Sequence, residues 1–137
     1  MSVITELIRT EEDGTLSFGN YELEEKSKIQ DFEHQGDIYK VKTVKEITKL
    51  ERNGMFVYES VPGTAVNNLQ VTENGMEFQV EGPSDAQITV ELAEETTYQV
   101  FVDGKGIGEM KTNRGGKLVL SVELDHADKA DIKIEKQ

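Results

Sequence analysis

Cysteine and tryptophan are absent from this 137-residue sequence, proline occurs twice, alanine five times and arginine three times. Without cysteine there are no disulfides, no thiol nucleophile and no cysteine-based metal site, a composition suited to a reducing cytosol. Basic residues are also scarce: 15 Lys plus Arg stand against 27 Asp plus Glu, a net charge of −12. That balance argues against a nucleic-acid binder, which needs cationic side chains where it meets phosphate, and against adsorption to an anionic membrane surface. No apolar run approaches the ~18 residues of a spanning helix. Met1 to Thr10 holds neither a basic segment nor a continuous apolar one, so no leader is read there and a cytoplasmic location is expected. The five alanines face 22 Val plus Ile and 11 Thr, which favours strands over helices.

Leu, Ile, Val and Phe number 36, enough for a folded core, and the length fits one domain spanning 1–137. Their spacing alternates. Met76, Phe78 and Val80 are separated by Glu77 and Gln79 and followed by Glu81, which puts three apolar side chains on one face of a strand and three polar ones in water. The same period runs through Ile88, Val90 and Leu92; Tyr98, Val100 and Val102; Leu118, Leu120, Val122 and Leu124; and Ile132 and Ile134. One wet face per strand is the mark of antiparallel sheets.

Turn chemistry separates these runs. Asn74-Gly75 is read as a type I′ hairpin turn, Asp103-Gly104 as a similar one, and Asn53-Gly54 precedes a strand at Met55 to Ser60. Leu16 and Phe18, then Tyr21 and Leu23, flank Gly19-Asn20 as a short hairpin. Ile38 to Thr43 places Lys40 and Lys42 on one face and Tyr39 and Val41 on the other. Two stretches admit both helix and strand: Val3 to Arg9 after a Ser2 cap, and Thr43 to Arg52 with Thr43 and Glu46 spaced as a capping box. For the second, a strand from Glu46 to Glu51 paired with Met55 to Ser60 is favoured, because a two-turn helix has little stability of its own. The expected fold is all-β: an antiparallel β-sandwich, immunoglobulin-like or jelly-roll-like, of about nine to eleven short strands, with one short N-terminal helix as an option.

Candidate chemistry is sparse. A catalytic triad needs an imidazole, and His34 and His126 both lie in polar, loop-like contexts with no Gly-x-Ser-x-Gly elbow to serve. Asp125, Asp128 and Asp131, with His126, offer carboxylates to a hard cation but lack the spacing of an EF-hand loop. Gly104-Lys105-Gly106-Ile107-Gly108 resembles a phosphate loop, yet a strand follows where a helix should open, so it reads as a hairpin. Twenty-seven acids make carboxylate pairs unavoidable and single out none. Tyr21, Tyr39, Tyr58, Phe56 and Phe101 are candidate rings for a sugar; Phe101 points away from its apolar neighbours, and cover by the chain itself is expected for it. Lys40, Lys42, Lys45, Lys49 and Arg52, with Glu46 and Glu51, form the one basic stretch, readable as a solvated strand face or as a seat for an anion.

Two resemblances follow from particular residues. Tyr98-Gln99-Val100-Phe101-Val102-Asp103-Gly104, then Thr112-Asn113-Arg114-Gly115-Gly116 and Leu118-Val119-Leu120-Ser121-Val122, resembles the closing strands of immunoglobulin-like modules appended to bacterial polysaccharide-active enzymes. Thr10-Glu11-Glu12-Asp13-Gly14-Thr15, Phe18-Gly19-Asn20-Tyr21-Glu22-Leu23 and the run from Asn53 to Gly63 resemble a group of small bacterial proteins often labelled endosialidase. Sialidases use an arginine triad and Trp-containing boxes; this chain has no Trp and only Arg9, Arg52 and Arg114. No catalytic, cofactor-binding or metal-ligating residue is carried over. The reading is a non-catalytic binding or interaction domain, with a small carbohydrate-binding or carbohydrate-active protein as the alternative. Its expected partners exclude nucleic acid and membrane and include a second copy, met through an edge strand or an exposed sheet face.

Overall fold

A computed structural model describes residues 3–124 and 129–137. They form thirteen strands and no helix: β1 (Ile8–Thr10), β2 (Leu16–Phe18), β3 (Ser27–His34), β4 (Asp37–Val44), β5 (Ile47–Arg52), β6 (Met55–Val61), β7 (Ala65–Thr72), β8 (Gly75–Glu81), β9 (Ala86–Glu91), β10 (Thr97–Val102), β11 (Lys105–Lys111), β12 (Lys117–Val122) and β13 (Ala130–Lys136). Seven pair in the order β1-β2-β7-β8-β13-β10-β11 and six in the order β12-β9-β6-β5-β4-β3, all antiparallel. The two sheets pack as a sandwich.

The alternating residues read from the sequence meet between the sheets. Met76, Phe78, Val80, Ile88, Val90, Tyr98, Val100, Leu118, Leu120, Val122, Ile132 and Ile134 are all buried in one apolar cluster, with Leu92 and Val102 at its margin. Phe18, Tyr58 and Phe78 stack edge to face through its middle, with ring centroids 5.3 and 5.7 Å apart. Glu81 departs from the pattern. It is buried rather than solvated, and Tyr21 donates a 2.8 Å hydrogen bond to its Oε2.

Two of the turns read from the sequence are formed as read and two differ. Asn53-Gly54 and Asp103-Gly104 have positive φ at both residues, as a type I′ hairpin needs, and so does Gln35-Gly36 between β3 and β4. At Asn74-Gly75 the loop is instead Glu73-Asn74, since Thr72 pairs with Gly75, and only the glycine has positive φ. Gly75 serves a close approach: a Cβ there would sit 1.8 Å from the Ile134 carbonyl oxygen. The hairpin read around Gly19-Asn20 is not formed. Gly19 exchanges backbone bonds with Ile4 and Leu7, and Asn20 donates its N–H to Thr43, so the chain crosses there from one sheet to the other.

The optional N-terminal helix is absent as well: Leu7 N–H closes a single turn on the Ile4 carbonyl, Leu7 has φ 73°, and Ile4 N–H and the Leu7 carbonyl bond to Gly19 instead of continuing a helical ladder. Thr43 to Arg52 resolves as strand, turn and strand, with β5 paired to β6. The strand count exceeds nine to eleven partly through β1, which takes the end of the stretch readable as helix or strand, and β3, whose pattern gave no signal. β3 is a largely exposed edge in which Lys28, Gln30, Asp31 and Glu33 break any apolar alternation.

Candidate functional site: a cleft on the seven-stranded sheet

Residues directly opposite each other in antiparallel strands point to the same side, so outward side chains line up in rows across a sheet. On the seven-stranded sheet one row runs Gln70, Glu77, Lys133, Phe101 across β7, β8, β13 and β10. The adjacent row sets Gln79 beside Asp131. With Asn68, Asp13 and Thr15 these residues line an open cleft of about 660 Å³.

Both walls are braced by hydrogen bonds. Asp13 Oδ1 accepts from the Thr15 N–H (3.0 Å) and hydroxyl (2.6 Å), Asn68 Nδ2 donates to Thr15 Oγ1 (3.0 Å), and Gln35 Nε2 donates to the Gly14 carbonyl (2.8 Å). At the opposite rim Asp131 donates its N–H to Asp103 Oδ1 (2.9 Å) while Asp103 N–H returns a bond to the Asp131 carbonyl (2.8 Å). Phe101 is half-buried beside Gly106, its cross-strand neighbour on β11; a Cβ at that glycine would lie 3.7 Å from the ring. The expected cover of Phe101 is therefore partial. The N-terminal segment supplies the far wall through Asp13 and Thr15, and the ring stays open to the cleft.

Chemically the cleft offers carboxylate acceptors, one ammonium, three side-chain amides that both donate and accept, and one aromatic face. A general acid needs a carboxyl raised toward neutrality. Glu6, Glu11 and Asp13 move down from the ordinary value, held in the charged form chiefly by backbone, Ser17 and Thr15 hydrogen bonds respectively.

The other candidates are dispersed. His34 ends β3 and is buried rather than solvated. Its Nδ1 lies 2.8 Å from Thr10 Oγ1, linking β3 to β1 across the sandwich, and its ring meets Tyr39 edge to face at 5.7 Å. Burial pulls its pKa below the usual value, against an opposing pull from Asp37. Tyr58 and Tyr39 are core residues, and Tyr21 is engaged with Glu81, its hydroxyl pKa pushed up first by burial and then by that carboxylate. Phe56 lies on the six-stranded sheet with Lys117 Nζ 4.7 Å from its centroid. Of the five rings, Phe101 is the one that lines the large cleft.

The basic stretch is split. Lys45 pairs with Glu24 (3.1 Å) and Lys49 with Glu51 (3.7 Å), Arg52 lines a hollow at the sandwich end, and Lys42 stands in a row between Lys28 and Lys49 on the six-stranded sheet. Gly104 to Gly108 belongs to the β10–β11 hairpin, as its glycines and following strand indicated. Asp125, His126 and Asp128 lie outside the described residues. Asp131 is on β13, and among the described residues no group of three or more potential ligands is placed to hold a metal.

What sequence reading missed is the row itself. Gln70, Glu77, Lys133 and Phe101 each carried the outward half of an alternation, but their adjacency depends on the order β7-β8-β13-β10, which brings together residues more than 60 positions apart. No family model, no curated protein and no solved structure matches the chain.

Proposed function

We propose that this chain is a non-catalytic binding domain that holds a hydroxyl-rich ligand, of carbohydrate type, on the outer face of its seven-stranded sheet. The observation that carries this reading is the cleft of about 660 Å³ in which Phe101 lies at one end of a polar row formed by Gln70, Glu77 and Lys133. A pyranose presents an apolar C–H face, which stacks on an aromatic ring, and an edge of hydroxyls that each donate and accept. Amides, carboxylates and an ammonium in one plane suit that edge. The resemblance of the segments around Phe101 to accessory modules of polysaccharide-active enzymes points the same way.

The test is a glycan-array screen of the purified protein beside Phe101→Ala, with hits remeasured by calorimetry. Saccharide binding that Phe101→Ala weakens at least about tenfold is expected, the loss of one stacking contact. Absence of binding up to millimolar saccharide, or binding indifferent to Phe101, overturns the reading.

A further inference from the structure

A sheet edge is a row of unpaired backbone groups, and proteins guard such rows with bulges, charge or brevity. Of the four edge strands, β1 has three residues, β3 is interrupted by a register shift with Asp31 at φ 62°, and β11 carries a shift at Val100/Phe101 that leaves Ile107 unmatched. β12 has none of these. Its six residues pair with β9 in unbroken register, its one charge is the terminal Lys117, and Val119 is 49 % exposed.

The direction of its backbone groups follows from one bond. Leu92 N–H donates to the Gly116 carbonyl at 2.8 Å, so by the alternation of an antiparallel ladder Leu118, Leu120 and Val122 bond to β9. Lys117, Val119 and Ser121 therefore aim their N–H and C=O away from the sheet. Those of Lys117 are taken by Asn113, whose Oδ1 and N–H bond them at 2.9 and 3.2 Å. Among the described residues, no partner takes the outward groups of Val119 and Ser121, which remain as the open pair.

We infer that β12 is a self-pairing edge, at which a second copy of this chain adds its own β12 antiparallel and joins the two six-stranded sheets into one. Setting Val119 against Ser121 of the second copy is the register that uses both open pairs. It places Leu120 on the two-fold axis against its own equivalent, Leu118 against Val122, and Lys117 against Glu123. Apolar then faces apolar on the inner side at Leu118, Leu120 and Val122, and at the ends Lys117, whose ammonium already pairs with Glu91 at 2.7 Å, stands opposite Glu123 of opposite sign. The unbroken register is what permits this, because inward and outward side chains keep their sides across the two-fold. A contact of the six residues of β12 plus Glu123 from each copy is small, so the dimer is weak and concentration-dependent.

Analytical ultracentrifugation of the full chain over a range extending to sub-millimolar concentration tests this, with a species at twice the 15.4 kDa chain mass expected to grow with concentration. Val119→Pro removes an outward N–H without touching the β9 ladder and is expected to give a monomer with unchanged circular dichroism. Glu123→Lys, outside the strand, sets like charges opposite each other and is expected to weaken association at least about tenfold, relieved by salt. A wild-type chain that stays monomeric throughout, or a dimer that both variants leave intact, overturns the inference. Neither outcome bears on the sugar cleft, which lies on the other sheet.

Discussion

The Tyr58 hydroxyl lies 2.8 Å from Thr64 Oγ1 in the fully buried middle of the sandwich. Thr64 Oγ1 is also 2.8 Å from Ser60 Oγ, and the Thr64 carbonyl accepts from Thr48 Oγ1, itself 2.9 Å from Thr43 Oγ1. Five hydroxyls thus satisfy one another where β4, β5 and β6 meet the start of β7, and none is titratable in the physiological range.

Thr64→Val keeps the shape of that side chain and removes its oxygen, leaving Tyr58 and Ser60 short of a partner. A loss of about 2–3 kcal/mol in urea unfolding is expected, against about 1 kcal/mol for Tyr58→Phe, which takes away a group and leaves Thr64 its other bonds. Equal effects from the two substitutions contradict Thr64 as the centre of the cluster.

Gly75→Ala drives a methyl into the Ile134 carbonyl at 1.8 Å, backbone against backbone between β8 and β13. A loss of about 3 kcal/mol or more is expected. Gly54→Ala meets open space and bears only the strain of its φ of 80°, about 1 kcal/mol. Both glycines have positive φ, so thermal unfolding of the two variants side by side reads what crowding at Gly75 adds to conformational strain, and similar shifts contradict the assignment.

Burial holds His34 below the ordinary value of 6.5, so on acidification the unfolded chain takes up that proton first. Stability is then fully present above pH 6.5, falls as the pH drops through it, and stops falling on this account below the folded-state value. Urea titrations at a series of pH values are expected to show this decline in the wild type and its attenuation in His34→Gln. A decline unchanged by the substitution assigns it to other groups.

The fold was largely legible because its signal is local: each of β8, β9, β10, β12 and β13 announces itself by the alternation of its own residues, and Asn53-Gly54 and Asp103-Gly104 name their turns. Where tertiary contacts override local chemistry the reading failed. Gly19-Asn20 has hairpin composition but is drawn into a crossing between sheets by Ile4, Leu7 and Thr43, and Asn74-Gly75 is shaped by the passage of β13 rather than by the turn it borders. Glu81 was read as solvated because alternation says which way a residue points and not what covers it; here Tyr21 does. The cleft was illegible for a third reason. Glu77, Gln79 and Phe101 were read as outward-facing, but Asp13, Thr15, Asn68 and Gln70 were assigned no face, and strand order is not written in any one of them.

The cleft is tested most directly by mapping ¹H–¹⁵N chemical-shift changes while a saccharide hit is titrated into the labelled protein. The account expects the largest changes on Gln70, Glu77, Lys133, Phe101 and their row neighbours Gln79 and Asp131, and their loss in Phe101→Ala. Changes concentrated on the six-stranded sheet, with the row around Phe101 unmoved, would contradict it.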